Sequence, residues 1–122
     1  MELQDGVEVP SRARVRFAVH LRRPASVVLV GLSQGRAKLY IPASGNPPRL
    51  KEGTSTVGEE ALDGVPGPEL FLAELCNTPL SPVVILKAGE RAAAAAGEPG
   101  RVQTLDLGCP EARFLLTKEP PG

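Results

Sequence analysis

Few side chains in this sequence could do chemistry, and their spacing builds no working set. His20 is the only histidine. It ends the run RVRFAVHL (14–21), whose alternation puts it on the polar face with Arg14 and Arg16. Those arginines supply no nucleophile, so a solvated strand histidine is expected and not a triad base. Gly31-Leu32-Ser33-Gln34-Gly35 has the outline of a nucleophile elbow, but another strand pattern follows it where a helix is required, and no histidine follows at all. Glu59, Glu60, Asp63, Glu69 and Glu74 could offer paired carboxylates of the kind that hydrolyse glycosides. They fall in and beside turn-forming residues, which points to a solvated acidic rim. One histidine and two cysteines outside any CxxC pair do not make a zinc set, and the acids lack the alternation of a calcium loop. The expectation is no catalytic residue, no metal and no cofactor.

Two groupings remain. Cys76 and Cys109 lie 33 residues apart, each after an apolar run. In an oxidising compartment a disulfide is the favoured reading, and a loop of that size stabilises by roughly 3–4 kcal/mol. The alternative is two separate buried thiols acting as small hydrophobes. The second grouping is Arg12, Arg14, Arg16, Arg22 and Arg23, a possible anion- or partner-binding set around the first clear strand. Residues 1–51 hold nine bases against three acids and the remainder five against eleven, so that the net charge is zero. Compensation between adjacent halves explains this balance more simply than a nucleic-acid patch, and only Tyr40 is near enough to act as a stacking platform.

The elements that must position these groups follow from pattern. At 122 residues the chain suits one domain: a lead-in over 1–12, a domain over 13–118 and a disordered tail over 119–122. Thirteen Gly and thirteen Pro fall between apolar runs and read as turns. Aromatics are limited to Phe17, Phe71, Phe114 and Tyr40, so the core is aliphatic. No stretch reaches the roughly 18 apolar residues of a membrane span, and no signal peptide opens the chain.

Strands are expected over 14–21, where period two leaves one face wet, and over 26–32, a continuous β-branched run suited to a central strand. Ser33–Arg36 then turns the chain back into a partner strand over 37–41. Residues 42–53 read as loop with Leu50 as an anchor, 54–57 as a short strand and 69–76 as another. Ser81-Pro82 ahead of five consecutive alanines marks a helix ending at Gly97, with Gly89 weakening it. Final strands are expected over 102–107 and 112–117. Six to eight short strands with one alanine-rich helical insert make a mainly β protein, a β-sandwich.

The segments RVRFAVHL, PASVVLVGLSQGRAKLYIP, PPRLKEGTSTV and GVPGPELFLAELCNTPL resemble a bacterial domain-of-unknown-function family. That family is appended to caspase-like peptidases and protein kinases, and to single-pass proteins with an anti-sigma-factor-like zinc finger. The resemblance spans about residues 7–118 and is clearest over 14–76. Its members carry more aromatics around the hairpin and an asparagine in the loop after it, which Tyr40 and Asn46 approximate here. It implies an immunoglobulin-like sandwich used as an accessory module. The membrane-anchored relatives, often with a late cysteine pair, imply a periplasmic address that Cys76 and Cys109 would suit.

The reading is therefore a non-catalytic, extracytoplasmic sensing or protein-interaction module with a protein partner and a role in signalling. The chain is expected to be a fragment of a membrane-anchored regulatory protein that does not itself insert into the bilayer. The alternative is a cytoplasmic accessory domain that binds anions or nucleic acid through the Arg-rich first strand.

Overall fold

The computed structural model describes residues 6–62 and 64–120. Among them are eight strands: β1 (Val7–Pro10), β2 (Arg14–Leu21), β3 (Ala25–Ser33), β4 (Arg36–Ile41), β5 (Arg49–Leu50), β6 (Gly53–Ala61), β7 (Gly67–Cys76) and β8 (Glu111–Glu119). One helix, α1 (Pro82–Ala96), and a 3-10 turn at Pro99–Arg101 complete the fold. The fold is mainly β.

A six-stranded sheet forms the middle layer, in the order β1-β8-β7-β3-β4 with β5 beside the start of β3. Its pairs are antiparallel except β1 with β8, which is parallel. β3 and β7 lie at its centre and are buried on both faces, which explains their unbroken apolar runs. Val28, Val30, Leu32, Leu70 and Leu72 face α1 and meet Ile85. Leu29, Phe71 and Ala73 face the other way, toward a separate two-stranded sheet of β2 and β6. The layers are thus helix, large sheet and small sheet.

Local chemistry accounts for the connections. The β3–β4 hairpin turns on Gln34 and Gly35, both at positive φ (48° and 73°), the two-residue geometry that matches strand twist. Tyr40 is an extra residue in that ladder, since Leu29 pairs with Ile41 while Val30 pairs with Leu39. The bulge brings Tyr40 and Ile41 into the same core, under β2 and β6. Helix α1 starts with Pro82 and stops at Gly97 (φ 77°), although Ser81 makes no side-chain cap. Gly89 has a packing reason: a Cβ there would lie 3.2 Å from Leu32 Cδ2 and 3.3 Å from Ala37 Cβ, so glycine lets the helix settle onto β3 and β4.

Five expectations change. Arg49 and Leu50, inside the stretch 42–53 read as loop, form β5 against the start of β3. Glu119, read as the start of a disordered tail, ends β8 opposite Pro10. The strand expected at 54–57 is longer, running to Ala61 and pairing along the whole of β2. Residues 7–10, read as lead-in, form β1 and complete one edge of the large sheet. The strand expected over 102–107 does not form. There, side chains of β8 take the place of a ladder: Arg113 donates to the carbonyls of Val102 (3.2 Å) and Gly100 (2.8 Å), and Glu111 Oε2 accepts from the Leu105 N–H at 2.9 Å. Val102 and Leu105 still enter the core, as anchors of an irregular segment.

Candidate functional site

The small sheet has two strands and the sheet beneath it has six, so its cover is incomplete. The gap is an open, largely apolar cleft of about 960 Å³. Phe71, Ala73, Ala112, Phe114 and Leu116 contribute to its floor, and β2 forms its wall. The seven consecutive residues from Ala13 to Val19 all border it. Alternate residues of a strand point to opposite faces, so an unbroken run means that β2 presents its edge to the cleft. Among the described residues that edge has no pairing strand, since β2 pairs with β6 alone. Ala112, Arg113 and Phe114 border the opposite side, where β8 extends past the part paired with β1.

The arginines divide along β2. Arg14 and Arg16 share one carboxylate, Glu59, with Arg14 Nε 3.3 Å from Oε1 and Arg16 Nη2 3.7 Å from Oε2. All three are substantially exposed, so these pairs add little stability. The Arg12 guanidinium lies against Gly64, whose positive φ of 80° and missing Cβ leave room for it. Arg22 and Arg23 are exposed in the turn beyond Leu21, on the order of 20 Å from Arg14 along an eight-residue strand. The five therefore form no single patch: three gather at the start of β2 and two lie past its end.

His20 is exposed, with Nδ1 2.9 Å from Thr54 Oγ1 on the facing strand. Ser33 of the elbow-like pentapeptide is the last residue of β3, followed by a strand-to-strand turn. No family model, curated protein or solved structure matches the chain. Any functional reading therefore rests on this geometry and on sequence pattern. Among the described residues no cluster of three or more His, Cys, Asp or Glu could hold a metal ion. Asp63 lies outside the described residues.

The acids correct the picture of a solvated rim. Glu59 is on a strand, and Glu69 and Glu74 are fully buried in β7 on opposite faces of the large sheet. On the cleft side, Glu69 Oε1 lies 2.9 Å from Lys118 Nζ and Oε2 accepts from Tyr40 OH at 2.8 Å. Gly31 makes this possible, since a Cβ there would fall 2.6 Å from Tyr40 Cε2 and closer still to the Glu69 carboxylate. Tyr40 also packs in a ring trio with Phe17 and Phe71, centroids 5.2–5.9 Å apart. On the helix side, burial pushes the Glu74 carboxyl up to about 9, helped by hydrogen bonding to Glu111 and by its charge. Glu74 is therefore neutral at pH 7. Burial acts to raise Glu111 too, but hydrogen bonds from Glu74, Thr104 and the Leu105 N–H outweigh it and leave that carboxylate below its ordinary range. In sequence, Glu69 and Glu74 flank the apolar run of residues 70–73 and read as acids at its ends. Their partners on β4 and β8 are 29 to 49 residues away.

Cys76 and Cys109 form a disulfide, with Cα atoms 4.9 Å apart. It ties the end of β7 to the irregular segment before β8, where the Leu75 N–H also donates to the Pro110 carbonyl at 2.8 Å. No helix among the described residues is long and apolar enough to cross a membrane.

Proposed function

We propose that this domain is a non-catalytic protein-interaction module that binds its partner in the cleft beside β2. The observation that carries this reading is the cleft beside the unpaired edge of β2, where the two-stranded cover stops short of exposed Ala112 and half-buried Phe114. The groups that elsewhere do chemistry are committed here. Glu69 is tied to Lys118 and Tyr40, Glu74 and Glu111 pair with each other, and His20 meets a hydroxyl in solvent. The Cys76–Cys109 disulfide supports action outside the cytoplasm, where such bonds persist. The resemblance of residues 14–76 to accessory domains of membrane-anchored regulators points the same way and suggests a sensing or signalling role. Anion or nucleic-acid binding is the weaker reading, because Arg14 and Arg16 converge on Glu59 and Arg22 and Arg23 lie apart, past the end of β2.

Photo-crosslinking in the source cell tests the proposal. A photoreactive residue at exposed Ala112, in the cleft, should capture a discrete protein, and one at exposed Ala94 on α1 should not. Equal labelling from both positions, or none from residue 112, contradicts the reading.

A further inference from the structure

We infer that the occupant of the cleft is an extended segment of another protein, which adds as a strand to the free edge of β2. This deepens the interaction reading above and rests on it. Three observations carry it. First, the cleft wall is a strand edge and not a side-chain face, because every residue from Ala13 to Val19 borders it. A strand edge offers a row of N–H and C=O groups, and the ligand that satisfies such a row is another strand. Second, the floor is apolar, with Ala73, Ala112 and Phe114 among its residues, so alternate side chains of an added strand would find an apolar layer beneath them. Third, the opposite side chains of that strand would lie beside Arg14 and Arg16 on the outer face of β2. Among the described residues these two cations share one carboxylate, Glu59, so that cations outnumber anions on that stretch of the edge.

The geometry therefore selects a segment of about six residues, given a strand rise of roughly 3.4 Å and the length of β2 along the cleft. It should alternate apolar with acidic residues, apolar side inward. Opposite charges on neighbouring strands favour that choice, and like charges disfavour a basic segment. A second copy of this chain pairing β2 to β2 would instead bring four arginines together.

The test uses the intact oxidised protein and three end-blocked hexapeptides. One alternates valine with glutamate, one has three valines followed by three glutamates, and one alternates valine with lysine. The alternating acidic peptide should bind at least tenfold more tightly than either control. Backbone amide shifts should be confined to residues 13–19 and 112–114. Ala112→Lys, at an exposed position, should weaken binding at least tenfold with the melting temperature unchanged. Arg14→Glu combined with Arg16→Glu should reverse the preference toward the lysine peptide. Equal binding of the alternating and block acidic peptides overturns strand addition, as do shifts centred on α1. So does a self-associated dimer, detected by sedimentation, that the peptide cannot enter. A crosslink from residue 112 without this selectivity keeps the interaction reading and removes strand addition. Loss of both removes both.

Discussion

The two faces of the large sheet are built from alternate residues of the same strands, yet they end in different states. On the helix side, Val28, Val30, Leu32, Leu70 and Leu72 are closed over by α1 and by the anchors Val102 and Leu105. On the other side, Tyr40 and Ile41 are sealed by β2 and β6, but the cover stops short of Ala112 and Phe114. A helix covers a sheet with side chains and has no lateral strand edge, its unpaired backbone groups being confined to its two ends. A two-stranded sheet leaves edges, and one of them borders the gap. The difference teaches where to look for function: both faces hold buried packing, and the open one adds an unpaired strand edge beside a gap.

That contrast can be broken most forcefully at the buried ion pair of the open face. Glu69→Ala would remove the buried carboxylate that Lys118 and Tyr40 share and should cost about 3–5 kcal/mol by urea unfolding. A cost under 1 kcal/mol would mean that this face is not packed as described. Core truncation gives the next largest effect. Leu72→Ala beneath the helix should cost about 3–4 kcal/mol, while Phe114→Ala on the half-open cleft floor should cost less than half as much. Equal losses would erase the distinction between the faces.

A pH dependence confined to the helix side separates the two faces again. Glu74 has a folded pKa near 9 against an ordinary 4.5, so between those values the native state holds a proton that the unfolded chain has released. Stability should therefore fall as pH rises from about 4.5 toward 9. Glu111, shifted down, acts oppositely, and its contribution is lost as pH drops below about 4.5. Melting temperature followed across pH 5–9 should fall less steeply in Glu74→Gln. An unchanged slope would assign the dependence to other groups.

Much of this fold is legible in sequence because its period is local. The alternation of 14–21, the β-branched run of 26–32, the Gln34-Gly35 turn and the Pro82–Gly97 helix need only neighbouring residues to be read. What is not legible depends on distant partners. Val102–Leu107 has strand-forming residues, but Arg113 and Glu111 satisfy its backbone from the next element, and no local pattern reports that. Glu69 reads as a surface acid until Lys118 and Tyr40 are brought to it across the sheet. The cysteine pair is visible in sequence and favours a disulfide, but residue spacing alone also fits two separate buried thiols. The cleft has no sequence signal of its own, because it arises from the mismatch between a six-stranded and a two-stranded layer. Only the arginines of β2 hint at it, in the way that charged residues guard exposed strand edges.

Amide hydrogen exchange on the free, oxidised protein tests the central claim most directly. If one face is closed and the other ends in an open edge, amides of 27–32 and 70–75 should exchange only by global unfolding. Those of 14–19 that point away from β6 should exchange at least a hundredfold faster, through local exposure. Uniform protection across both sets would show that the β2 edge is already covered and that no docking cleft exists.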